Sequence, residues 1–185
     1  MLRETPPPPP RAPPATTRRN SQTQPRTDRM DQAELERLPA DRLYAAEQDM
    51  WVRLEDDGTA TLGTTHLMAM HGQFMLFTPR PVDTPVAFDR SLGVMETAKS
   101  AVAIHAPLSC RIIAANPAVE RDVALITRDP YGEGWLFRVR PTQLDAERDR
   151  LMDVAAYRAW LATRMERFEP PATTPDDALD PTRWL

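Results

Sequence analysis

The 185 residues carry 23 basic and 27 acidic side chains, a formal net charge of −4, and 41% hydrophobic residues. That length holds one domain of ordinary size plus tails, and no stretch approaches the ~20 apolar residues of a transmembrane helix. The single cysteine, Cys110, excludes an internal disulfide and a cysteine-based zinc site, and it fits a reducing compartment.

Charge is unevenly placed. Residues 1–29 hold six arginines against Glu4 and Asp28, a balance of +4, so the remainder must carry −8. An acidic folded region is a poor nucleic-acid binder and suits a small protein that docks on basic surfaces of larger partners. The same 29 residues contain eight prolines, including the run Pro6 to Pro10. They have almost nothing to bury and are expected to form a disordered, dispensable tail. Five successive prolines argue against the amphipathic helix of a mitochondrial transit peptide. Met30 as the true start is the competing expectation for this region.

From Asp49 the pattern turns to strands. Trp51 to Leu54 alternates, Glu55-Asp56-Asp57-Gly58 supplies a turn and Thr59 to Gly63 resumes, which predicts a hairpin. Thr65 to His71 predicts a helical turn or more. Phe74 to Phe77, Val86, Leu92 to Met95, Val102 to Ile104, Arg111 to Ala114 and Leu136 to Arg140 are further short strands between turn residues. Many short strands at close spacing predict a small sandwich or barrel. Helices are expected over Leu144 to Met152 and Ala155 to Phe168, where Leu151, Tyr157, Trp160, Leu161, Met165 and Phe168 make a core-packing stripe. Prolines 170, 171, 175 and 181 end helix formation, and the Trp184-Leu185 end is expected to fold back onto the domain.

Lys99 is the only lysine; the other 22 basic residues are arginine. Arginine stays protonated and is a poor nucleophile, whereas a lysine amine can lose its proton and form an amide. Between the strands Leu92–Met95 and Val102–Ile104, Lys99 is expected at a hairpin tip, where a carrier presents an amine to a modifying enzyme. Glu96, three residues earlier, is read as a negative mark that a cationic modifying enzyme recognises. The bland alternatives are a lysine spared by chance and a solvated turn glutamate. His66, His71 and His105 show no metal-ligand spacing, and His105 is expected at the surface near this loop. There is no Ser-His-Asp set or glycine-rich phosphate loop, so no catalytic residue is assigned.

The segment Arg128-Asp129-Pro130-Tyr131-Gly132-Glu133-Gly134-Trp135-Leu136-Phe137 is close to an Asp-Pro-Tyr-Gly-x-Gly-Trp-Leu signature, and Gly93-Val94-Met95-Glu96-Thr97-Ala98-Lys99-Ser100-Ala101 to Gly-Val-Val-Glu-Ser-Val-Lys-Ala-Val. Ala106-Pro107, Asn116, Trp51-Val52-Arg53, Gly58-Thr59-Ala60-Thr61 and Pro39-Ala40-Asp41 fall where the same pattern has matching residues. On these residues, from Tyr44 to Leu161, the chain resembles the H proteins of the glycine cleavage system. Biotin carriers fit less well, since they flank the lysine with methionines where this chain has Ala98 and Ser100. Lipoyl domains of 2-oxoacid dehydrogenases lack the tyrosine-glycine-tryptophan segment.

The resemblance implies a mainly β fold, a flattened β-sandwich or barrel of the lipoyl-carrier (barrel-sandwich hybrid) type with C-terminal helices. The domain would occupy residues 30–168, with tails over 1–29 and 169–185. It implies lipoate attached to Lys99, and a carrier instead of an enzyme. The implied partners are glycine decarboxylase, which loads an aminomethyl group, the aminomethyltransferase, dihydrolipoyl dehydrogenase and a lipoate-attaching enzyme, in the cytoplasm, without nucleic acid or membrane. Tethering would raise the arm's effective concentration at each docked active site.

The chain also departs from that pattern. Asp83, Asp89 and Cys110 stand where similar proteins have glycine, and a residue with a Cβ at a left-handed turn loses of order 1 kcal/mol. The Gly63 to Gly72 segment is one residue shorter, with Met68, Met70 and His71 where acidic or polar residues are usual. Gln73 replaces an aspartate, and Asp49-Met50 replaces a His-Glu pair. These changes leave two further readings: a divergent lipoate carrier for sulfur oxidation or lipoyl relay, and a module that keeps the fold without being lipoylated. Cys110 is read as a buried structural thiol.

Overall fold

The computed structural model describes residues 37–167. The tails expected over 1–29 and 169–185, with Phe168, lie outside the described residues.

Among the described residues, nine strands build two antiparallel sheets. In the larger, β1 (Leu43–Ala45), β2 (Met50–Leu54), β3 (Ala60–Thr64), β9 (Phe137–Pro141), β8 (Cys110–Ala115) and β5 (Pro85–Val86) lie side by side in that order. In the smaller, β6 (Ser91–Thr97) lies between β4 (Phe74–Pro79) and β7 (Ala101–His105). Period-two alternation explains the layering: Val52, Leu62, Ile112 and Val139 of the larger sheet and Phe77, Leu92, Met95 and Ile104 of the smaller share one buried core. Phe77 and Phe137 meet edge to face across the layers, centroids 5.6 Å apart. The expected mainly β sandwich is what the chain adopts.

The β2–β3 hairpin forms where the sequence places it. Gly58 takes the left-handed conformation (φ +76°), and the Asp57 carboxylate accepts from Thr59 N at 3.0 Å and Thr59 Oγ1 at 2.6 Å. The expected turn after Thr65 is a 3₁₀ segment, His66–His71. Asp83 (φ 67°) and Asp89 (φ 59°) occupy left-handed turns, as their replacement of glycine implies, and Asp49 (φ 52°) is a third such aspartate. Cys110 corrects the expectation: it lies in β8, almost fully buried and without positive φ, so burial and not strain decides what fits there.

Among the described residues, four α-helices follow the strands in part. α1 (Pro117–Arg121) and α2 (Leu125–Arg128) were not expected, although Asn116-Pro117 is a start signal: Asn116 Oδ1 accepts from Ala118 N at 2.9 Å, with proline in the first turn. The helix expected over Leu144 to Met152 is shorter. α3 (Leu144–Glu147) passes into a 3₁₀ turn, and Met152 then pairs with Tyr44, N–H to carbonyl in both directions at 2.8 and 2.9 Å. The edge of β1 claims the backbone that the helix would have used. α4 (Val154–Arg167) lays Tyr157 and Leu161 of the expected stripe into a second core with Leu38, Tyr44, Ala46 and Trp51. Tyr157 stacks on Tyr44 with centroids 4.5 Å apart. No helix among the described residues is long and apolar enough to cross a membrane.

Candidate functional site

Lys99 stands exposed at the apex of the turn joining β6 and β7, as expected. Register explains why. Glu96 pairs with Ala101 and Met95 with Val102, so the chain must reverse over Thr97 to Ser100. Thr97 N–H donates to the Ser100 carbonyl at 2.8 Å, and Thr97 Oγ1 accepts from the backbone N–H of Lys99 at 3.2 Å and of Ser100 at 3.0 Å. The threonine hydroxyl thus occupies two amides of the apex, and no residue in the turn takes positive φ. Thr97 was missed as a positioning residue; a hydroxyl two residues before an apex amide was the available signal.

The sheet under the apex is closely packed. Met95 is fully buried and pairs with Phe77, while Gly93 lets β4 approach, since a Cβ there would lie 2.6 Å from the Thr78 carbonyl. Glu96 faces solvent between Leu76 and Ala101. Lys99 and Glu96 therefore belong to one exposed hairpin end. His105 does not: it pairs with Ser91 at the opposite end of β7 and sets Nδ1 2.9 Å from the Asp89 carbonyl. The expectation that it lies near the loop is corrected by strand length, since the other four residues of β7 intervene.

The strongest sequence motif is a clamp. Trp51 Nε1 donates to the Pro130 carbonyl at 3.0 Å, and Arg42, whose guanidinium lies 4.9 Å from the Trp51 ring, donates to the Tyr131 carbonyl at 3.2 Å. Asn116 Nδ2 donates to the carbonyls of Glu133 and Trp135 at 2.8 and 2.7 Å. Gly134 is required because a Cβ would sit 2.5 Å from the Leu125 carbonyl and 2.6 Å from that of Asp129. Tyr131 Oη lies 2.8 Å from His66 Nδ1, so the motif also pins the 3₁₀ segment that leads into β4. Phe74 of β4 pairs with Thr97, at the same end as Lys99. The motif thus holds the scaffold beside the hairpin end. Met68, in this segment, fills the main core, which explains an apolar residue where a polar one was expected.

At the other side of the core Glu147 is buried, accepting from Ser109 N at 2.6 Å and Ser109 Oγ at 2.7 Å. It fastens α3 to the start of β8, next to Cys110. Burial, with a smaller push from the Glu147 charge, raises the Cys110 thiol to about 12. A thiol so buried and protonated is a packing residue, as expected.

A two-sheet sandwich that holds a lysine at an exposed hairpin tip is the architecture of a prosthetic-group carrier. The family profile for the glycine cleavage H-protein matches residues 42–164. The glycine cleavage system H protein of Psychrobacter sp. (strain PRwf-1) is 38% identical over 125 residues, covering 67% of this chain and 98% of that protein. The one from Shewanella sp. (strain ANA-3) is 40% identical over 125 residues, covering 66% and 94%. A crystal structure of a glycine cleavage system H protein from Mycobacterium marinum superposes with a TM-score of 0.58 at 28% identity, covering 68% of this chain and 99% of that one. The chain belongs to the glycine cleavage H-protein family.

Proposed function

We propose that this chain is the lipoyl carrier of a glycine cleavage system, with Lys99 as the attachment residue. One observation carries the assignment: the only lysine of the chain stands exposed on a turn whose amides are held by Thr97. The site fits the group. An amine to be acylated must enter a modifying enzyme's active site, and the narrow two-stranded tip allows that. The amide formed would cancel the lysine charge, and the arm would then extend from a fixed base.

A lipoyl group held there would supply a disulfide that opens to accept an aminomethyl unit and is left as a dithiol, to be reoxidised, when the unit is passed on. The chain's own part is presentation. Thr97 orders the apex before docking, so less conformational freedom is lost when an enzyme engages it. Glu96 offers a negative charge three residues from Lys99 for a cationic enzyme surface to read. The clamp over Asp129 to Trp135 keeps the neighbouring segment in place. Glycine decarboxylase and the aminomethyltransferase are the partners that family membership implies. Dihydrolipoyl dehydrogenase and a lipoate-attaching enzyme complete the proposed set, with the cytoplasm as its place.

Four of the departures, Asp83, Asp89, Cys110 and Met68, have ordinary structural explanations and do not favour a divergent carrier or an inert module. The test is the intact mass of the protein purified from its native cell, beside Lys99→Arg. A lipoyl-sized increment in the wild type alone supports the reading. An unmodified wild type, in cells whose other carriers are lipoylated, overturns it.

A further inference from the structure

We propose that the outer face of the six-stranded sheet is a docking surface for an acidic, apolar-anchored segment of a protein partner, gripped by Arg111 and Arg140. Four arginines share this face: Arg53 on β2, Arg138 and Arg140 on β9, and Arg111 on β8. Two are neutralised from within. Arg53 Nε donates to Glu55 Oε1 at 2.8 Å, and Arg138 lies 3.6 Å from Asp57 Oδ2 and 3.3 Å from Thr59 Oγ1. The other two are less so: the Asp57 charge reaches Arg140 only at longer range. Arg111 and Arg140 are exposed, stand directly opposite each other across β8 and β9, and form no ion pair among the described residues. Arg111 instead donates to the Asp83 carbonyl, which holds its guanidinium over the edge of the sheet.

Like charges at directly opposed positions destabilise a sheet. In a chain of net negative charge, this pair is a local reversal that folding does not require. Its surroundings are those of a protein interface. Pro85 faces Arg111 from β5, Ile113 bulges from β8 with 37% exposure, and Val82 before β5 is 54% exposed. A depression of about 350 Å³, lined by Pro85, Val86, Arg111, Thr142 and Gln143, adjoins Arg111 and has room for a large apolar side chain. Arginine beside apolar surface is the composition of binding hot spots. A nucleic-acid platform needs exposed stacking aromatics, and the one aromatic residue of β8 and β9, Phe137, is buried. Charge complementarity therefore selects carboxylates on a protein segment. This face belongs to the layer that does not carry Lys99, so a partner seated here leaves the hairpin free to visit active sites.

The test uses the full chain and a short synthetic peptide of glutamates flanking one leucine, followed by NMR shift mapping and titration at low and high salt. Binding is expected to shift amides of β5, β8 and β9 and to weaken with salt. Arg111→Gln/Arg140→Gln should lose roughly tenfold in affinity, and the control Arg90→Gln/Arg121→Gln less than about twofold. Arg111→Glu, which makes an opposite-charge pair with Arg140, should lose peptide binding while raising Tm, so misfolding cannot explain the loss. Absence of binding, equal losses in the control, or a footprint elsewhere overturns the proposal. So does a single-stranded oligonucleotide that binds this face more tightly than the peptide. Self-association in sedimentation that Arg111→Gln/Arg140→Gln abolishes overturns it too, in favour of a second copy. No readout involves lipoate, so these outcomes are separate from those for Lys99.

Discussion

Replacing Thr97 by valine keeps the size and branching of the side chain and removes its oxygen. Two backbone donors at the apex, Lys99 N–H at 3.2 Å and Ser100 N–H at 3.0 Å, lose their acceptor. Both are at an exposed turn, so water replaces the oxygen and each bond is worth about 0.5 kcal/mol, the low end for a hydrogen bond. The Thr97 N–H to Ser100 carbonyl bond and the strand pairs below it remain. The expected result is a local loss of about 1 kcal/mol, or about fivefold in the equilibrium for opening the tip, with little change in global stability. Amide exchange of Lys99 and Ser100 should quicken about fivefold, and kcat/KM for lipoylation by a lipoate-attaching enzyme should fall by a similar factor. Ser100→Ala, which leaves both bonds in place, should stay within about twofold. Wild-type exchange and lipoylation in Thr97→Val would refute the argument that the hydroxyl orders the site.

Glu147→Ala should cost about 3 kcal/mol in urea denaturation, because it leaves Ser109 N–H and Oγ buried beside a cavity; a cost below 1 kcal/mol would show that water replaces the carboxylate. Gly134→Ala should cost at least about 2 kcal/mol, since two backbone carbonyls must move from a Cβ less than 3 Å away, and its signature is loss of the Trp51 indole contact to Pro130 in NMR spectra. Cys110 has a pH consequence of definite sign. Its thiol titrates at about 12 in the folded chain and at 9.0 ordinarily, so the unfolded chain loses the proton first. The contribution is intact below pH 9 and is lost as pH rises towards 12. Cys110→Ala should therefore flatten the alkaline fall in stability, and the native thiol should resist alkylation at pH 8; rapid native alkylation would contradict its burial.

Much of this protein was determined by local rules that the sequence displays. Alternation and turn residues give the β2–β3 hairpin, because Gly58 and Asp57 close it without outside help. The position of Lys99 between two short apolar runs gives the exposed tip for the same reason: a hairpin needs only its own register. Asp83 and Asp89 reveal their left-handed turns through the small polar side chains that tolerate them. What the tertiary structure alone decided depends on contacts between distant segments. Asp129 to Trp135 stands out as a motif, yet its work as a clamp exists only because Trp51, Arg42 and Asn116 are brought to its carbonyls. The helix expected through Met152 stops early because Tyr44, over a hundred residues away, offers backbone partners. Cys110 is a strand residue, not a turn, since Glu147 and Ser109 bury the start of β8. The opposition of Arg111 and Arg140 follows from the β8–β9 register, which 28 intervening positions conceal. Periodicity records what one segment prefers; only packing decides which segments meet.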